Sequence, residues 1–245
     1  MNKRISFCLV IMVAVLMFCG CEYSRAGSGM SDNITDTDEV GSDLKIPAPY
    51  QDILDKVHEV IVSDGTDYTD EVDYEFFSPI GILEAKMERG TDEALSAIGY
   101  TMYDVDGNGI DELIIADTGE GVLDNRILLM YTLHDDEPVL LIDGWARNRY
   151  YILNDNTIYN EGSGGAAYTI FATYRMAEDG LGLELTDYYY SGFYDNSEWG
   201  WFHNTTGEST EDESEMIDFV DGKTPENLMD DYRSMVKELD LTFFR

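Results

Sequence analysis

Between residues 104 and 112 the chain reads Asp-Val-Asp-Gly-Asn-Gly-Ile-Asp-Glu. Oxygen-bearing side chains recur there at alternate positions: Asp104, Asp106 and Asn108, with Glu112 in the same phase. Glycines fall where a backbone folding back on itself must turn sharply. A hard cation such as calcium takes about six to eight oxygens at short range, and a tight loop of alternating carboxylates supplies them. The chemistry expected here is therefore coordination of a divalent ion.

A twelve-residue calcium loop draws its ligands from positions 1, 3, 5, 7, 9 and 12, with glycine at 6. Those positions are Asp104, Asp106, Asn108, the carbonyl of Ile110, Glu112 (directly or through water) and Ile115, with Gly109 at the turn. An apolar residue at position 12 removes the bidentate glutamate of a helix-loop-helix site. The run Leu113-Ile114-Ile115-Ala116 reads as a buried strand, and Tyr100-Thr101-Met102-Tyr103 precedes the loop in strand-like fashion. The pattern thus resembles the strand-flanked calcium loops of integrin-type propeller repeats, although the loop occurs once and no internal repeat accompanies it. A metal-free hairpin turning on Asn108-Gly109 is the alternative. It must accommodate three mutually repelling acids, which favours the cation. A site lacking position 12 suits a structural ion outside the cell, where affinities of roughly 10⁻⁴–10⁻³ M suffice.

The elements that hold this loop follow from periodicity. Ile53, Leu54, Val57, Val60 and Ile61 recur at helical spacing, so residues 50–63 form an amphipathic helix, and His58 beside the stripe is a packing or boundary residue rather than a ligand. Ser78-Pro79 reads as an N-cap and first helical position with Gly90 as the stop, and Thr91 caps a short helix reaching Ile98. From Tyr100 the period becomes two. Strands are expected at 100–104, 112–117, 126–133, 138–143, 148–153, 157–161, 167–176, 182–190 and 198–204. Asp135-Asp136, Asn154-Asp155, Gly162-Ser163-Gly164-Gly165 and Asp179-Gly180 supply turns between them. A last helix spans 225–239. The fold class is α+β: an antiparallel meander, curled or barrel-like, with helices before it and one after.

The first residues carry an address. Lys3 and Arg4 precede an apolar run from Ile5 to Phe18, shorter than the roughly 20 residues of a membrane span and suited to a secretory signal. Phe18-Cys19-Gly20-Cys21 resembles the lipobox of bacterial lipoproteins, which implies cleavage after residue 20 and lipidation of Cys21. An ordinary signal cleavage with Cys21 incidental is the alternative. All three cysteines, Cys8, Cys19 and Cys21, lie in this segment, so the remaining chain has no disulfide, thiolate metal site or cysteine nucleophile. Residues 21–46 are polar and aperiodic, a flexible tether reaching roughly 25–30 Å from the lipid. One domain, residues 47–245, follows.

Without residues 1–20 the basic count falls from 15 to 13 against 50 acidic residues, a formal charge of −37. Such a field disfavours nucleic acid and anionic lipid surfaces and favours cation uptake where carboxylates converge. His58, His134 and His203 show no zinc spacing. Ser163 lacks the first glycine of a nucleophile elbow, since Glu161 stands there. With 50 acids, a carboxylate pair for glycoside hydrolysis stays open until separations are known. Tyr188-Tyr189-Tyr190, Phe193-Tyr194, Trp199 and Trp201-Phe202 form an aromatic cluster in which alternate members face a core. Tyr189, Tyr194, Trp199 and Trp201 are candidates for stacking on a glycan or anchoring a protein partner.

Two motif blocks carry a family likeness. These are Gly99-Tyr100 with Tyr103-Asp104-Val105-Asp106-Gly107-Asn108-Gly109 and Glu112-Leu113-Ile114-Ile115, and Asn156-Thr157-Ile158-Tyr159 with Gly162-Ser163-Gly164. Together with the lipobox and tether, the chain resembles uncharacterised surface lipoproteins of Gram-positive anaerobes. The resemblance implies a surface-anchored, extracytoplasmic, calcium-containing domain with no established activity. The expected function is a non-enzymatic binding module with a structural calcium loop; the alternative is an extracytoplasmic carboxylate-dependent hydrolase.

Overall fold

Apolar spacing in the first described segment sets a helix against everything that follows. A computed structural model describes residues 45–64, 76–118, 125–165, 168–194, 198–207, 209, 214–218 and 220–245. The signal segment, Cys21 and nearly all of the tether lie outside these residues. Helix α1 (Ala48–Val62) buries Ile53, Leu54, Val57, Val60 and Ile61 on one stripe. Helix α2 (Ile80–Arg89) stops at Gly90, whose φ of 87° favours glycine, and α3 (Thr91–Ala97) follows at once. Ser78 does not cap α2. It is buried beside Asp143, and Pro79 occupies the cap position.

The strands are β1 (Ile98–Tyr103), β2 (Glu112–Asp117), β3 (Arg126–His134), β4 (Glu137–Asp143), β5 (Asn148–Ile152) and β6 (Ile158–Gly165). They continue with β7 (Tyr168–Met176), β8 (Leu183–Tyr194), β9 (Glu198–Asn204), β10 (Glu215–Ile217) and β11 (Thr242–Phe243). Among the described residues these form one antiparallel sheet in the order β10-β9-β8-β7-β6-β5-β3-β2-β1-β11, with β4 paired to β3 beside β5. The sheet is curled but open, ending at β10 and β11, so it is a meander and not a closed barrel. The β3–β4 hairpin turns on Asp135 and Asp136 at φ 52° and 63°, the two left-handed positions of a tight hairpin.

Core placement explains why β2 shows no alternation. Its Leu113 and Ile115 pack with α1, α2 and α3, while Ile114 and Ala116 join Met130, Ile152 and Ile158 on the inner side of the curl. At the other end of the sheet, helix α4 (Pro225–Ser234) places Leu228, Met229 and Tyr232 over Tyr159, Phe171, Tyr189 and Trp201. Arg233 fixes that helix by donating two hydrogen bonds to buried Glu161, at 2.6 and 3.0 Å. The helix is shorter than the expected 225–239. Val236 leaves it to bridge Leu153, and Lys237 donates its amide to Ile152, so residues 235–237 run beside β5 instead. The Gly162–Gly165 cluster likewise belongs to β6 rather than to a turn. Glycine tolerates an extended strand, and the partner strand β7 decides.

Helix α2 approaches the turn after β4 so closely that a Cβ on Gly81 would lie 2.1 Å from the Gly144 carbonyl oxygen. Alanine at position 81 gains about 1 kcal/mol of helix propensity yet forces backbone apart, where overpacking costs about 3 kcal/mol. Gly81→Ala is therefore expected to lower the urea midpoint clearly. Gly182→Ala, with open space around the added carbon, should leave it within error.

Candidate metal centre

The loop between β1 and β2 is closed by its own side chains. Asp104 accepts the amides of Gly107 and Asn108 on Oδ1, at 2.8 and 3.1 Å, and that of Gly109 on Oδ2 at 2.9 Å. Gly107 and Gly109 take φ of 77° and 90°, which lets three amides converge on one carboxylate. Asp106 Oδ1 accepts the Asn108 amide at 3.0 Å. These turns aim Asp104 and Asp106 toward the point where β2 begins.

Glu112 stands at that point. It is fully buried, and each oxygen takes one protein donor: the Val105 amide at 2.8 Å and the Thr132 hydroxyl at 3.1 Å. Each carboxylate oxygen keeps further lone-pair capacity. Carboxylate oxygens of Asp104, Asp106 and Glu112 lie within 4.8 Å of one another, so the three could together hold a metal ion. Burial, followed by the charges of Asp106 and Asp104, raises the Glu112 carboxyl from the ordinary range to about 7, against the two hydrogen bonds that favour its ionised form.

The other buried acids are treated differently. Asp117 meets Arg89 at 2.9 Å and Arg126 at 2.9 Å. Glu161 meets Arg149 and Arg233 at 2.9 and 2.6 Å, and Tyr159 donates its hydroxyl at 2.8 Å. Among the described residues, the charged groups that act on Glu112 are the acids Asp106 and Asp104. Among the described residues, two of the three buried carboxylates carry their own counter-ions, and the third sits in a like-charged loop.

The remaining expected ligands are placed less directly. Asn108 turns its Nδ2 to Asp106 Oδ2 at 3.0 Å, while its oxygen accepts the Ile110 amide at 2.7 Å. Ile110 is exposed. Three further groups support the loop, and no spacing in the sequence marks them. Thr132 comes from β3, and Tyr50 of α1 donates to the carbonyls of Asp111 and Tyr131, both at 3.2 Å. The turn at Gly180, between β7 and β8, comes near enough that a Cβ there would lie 3.3 Å from Asn108 Nδ2. Asp179-Gly180 is legible only as a turn; its approach to the loop follows from the curl.

The aromatic candidates separate by burial. Tyr189 and Trp201 are 3% and 7% exposed and lie under α4, where Trp201 donates to Glu226 at 2.6 Å. Buried ring faces have nothing to offer a ligand. Trp199 is 47% exposed. Tyr194 lies at the end of β8, and its side chain falls outside the described set. Ser163 is exposed and exchanges hydrogen bonds with Gly165. His203 packs on Tyr189 and contacts Asp187 at 2.9 Å.

The raised Glu112 carboxyl has a pH signature. Its folded value lies above its unfolded one, so its contribution is fully present below about 4.5 and disappears as pH rises through about 7. In chelator, wild type should lose on the order of 3 kcal/mol from this group between pH 4.5 and 8, relative to a variant without it. Thermal melts of wild type and Glu112→Gln across that window should diverge as pH falls, with wild type gaining. Parallel curves would refute the assignment.

No family model, curated protein or solved structure matches this chain.

Proposed function

We propose that this chain is an extracytoplasmic lipoprotein, held to a membrane through Cys21, whose domain is a non-enzymatic binding module stiffened by one calcium ion in the loop 104–112. The observation that carries the reading is a fully buried glutamate whose carboxylate lies with those of two aspartates, with no basic side chain among the described residues that act on it. A divalent ion removes that repulsion and lets Glu112 ionise without penalty. All-oxygen donors on an irregular loop suit calcium; magnesium prefers a rigid octahedron that keeps several waters. The ion would join the first turn of the loop to the root of β2, a structural rather than catalytic place.

The binding-module reading draws support from how the other acids are used. Asp117 and Glu161 are each engaged by two arginines, whereas a glycosidase needs one carboxyl free to deliver a proton. The surface address rests on the signal segment and lipobox-like residues. Among the described residues no helix is long and apolar enough to cross a membrane.

Two experiments test the parts separately. Calorimetric calcium titration should give one site in wild type and at least about tenfold weaker binding in Asp106→Asn, which removes a charge while keeping one acceptor for Asn108. Equal affinities would sink the metal assignment. In detergent phase partitioning, wild type should enter the detergent phase and Cys21→Ser the aqueous phase; identical partitioning would remove the lipid anchor.

A further inference from the structure

The loop also holds the one Asn-Gly pair of the chain, Asn108-Gly109. Asparagine followed by glycine is prone to lose its side-chain amide. The next backbone nitrogen can close a succinimide ring on Cγ, and glycine puts no side chain in the way. Both residues are exposed, so water reaches them. Gly109 takes φ of 90°, and a Cβ there would meet no described atom within 4 Å. Open space permits the reaction; the hydrogen bonds around the pair bear on its rate.

Each group that the reaction uses has a partner in place. The Gly109 amide, which must give up its proton to attack, donates to Asp104 Oδ2 at 2.9 Å, within the reach of a general base. Asn108 Oδ1, which takes up negative charge when Cγ becomes tetrahedral, accepts the Ile110 amide at 2.7 Å, within the reach of an oxyanion donor. Asn108 Nδ2, the nitrogen that leaves, donates to Asp106 Oδ2 at 3.0 Å. The Asn108 amide is itself held by Asp104 Oδ1 and Asp106 Oδ1, at 3.1 and 3.0 Å. Asn108 is thus tied at both main chain and side chain, so little ordering remains before attack.

We propose that Asn108 is a self-modifying site, at which the folded loop catalyses its own deamidation with Asp104 as the base. The Gly109 nitrogen bonds to Asn108 Cγ as its proton passes to Asp104 Oδ2. The tetrahedral centre then collapses. The Cγ–Nδ2 bond breaks, the departing nitrogen receives that proton through water, and ammonia leaves a succinimide behind. One water molecule opens the ring at either carbonyl and gives aspartate or isoaspartate; nothing is oxidised or reduced. Aspartate adds another acid to the loop. Isoaspartate lengthens the main chain before Gly109 and carries the Gly109 and Ile110 amides away from their present acceptors. The site goes beyond the metal reading and needs no ion.

The test follows the full chain in detergent and chelator at mildly alkaline pH. It compares native wild type, wild type unfolded in guanidinium chloride at the same pH and temperature, and Asp104→Asn. Released ammonia and peptide mass spectra report conversion at position 108, with isoaspartate separated from aspartate by fragmentation. The unfolded chain keeps the Asn-Gly pair and loses the placed groups, so it measures the sequence alone. Native wild type should convert about tenfold faster or more than the unfolded chain, a modest share of the roughly hundredfold that a placed base can give. Asp104→Asn keeps an oxygen acceptor but loses the base, and should fall to within about twofold of the unfolded rate. Circular dichroism checks that this variant folds; should it not, the comparison within wild type decides alone. Conversion in native wild type no faster than in denaturant overturns the proposal. So does an undiminished rate in folded Asp104→Asn.

Discussion

Glu112 is buried because of where the sheet begins, not because of what the loop needs. It is the first residue of β2, opposite Tyr103 in the ladder, and β2 is covered on both faces. Its side chain therefore sits inside, beneath the loop that precedes it. Once there it needs donors, and it finds the Val105 amide and the Thr132 hydroxyl. The geometry of the loop, the register of β1 with β2 and the position of α1 over Asp111 all converge on keeping that carboxylate in place. A buried charge without a basic partner is costly, and the ways to relieve it are a proton or a bound cation.

The contrast with Asp117 and Glu161 shows two designs within one sheet. Asp117 ties the end of α2 to β3 through Arg89 and Arg126, and Glu161 ties α4 to β5 and β6 through Arg233 and Arg149. Each acid is a fastening point between a helix and the strands beneath it. In a chain with 15 basic residues and 50 acidic ones, arginines placed at two buried sites leave few for a third. Among the described residues the loop's acids are thus a cluster of like charge, and a place where an external ion has much to do.

Much of this was legible in the chain itself. The α1 stripe, most strands and the tight Asp135-Asp136 turn follow from local patterns, and Asp104, Asp106 and Glu112 do converge as their spacing requires. The losses have physical causes. Val236 could continue a helix or enter a bridge, and only the proximity of Leu153 chooses. Four residues rich in glycine look like a turn until a neighbouring strand claims them. Tyr189 and Tyr190 are chemically identical and adjacent, yet one faces α4 and the other turns away from it, because parity is counted from a register fixed elsewhere. Thr132 and Gly180 reach the loop across the fold, at separations that no local pattern encodes.

The far margin of the sheet carries its own consequence. Strand β10 is three residues long, exposed, and begins with Glu215. A long bare margin would template the backbone of a second molecule and propagate into fibrils. A stub that begins with a negative charge offers too few unpaired amides for that growth, and like charge on an approaching copy opposes it.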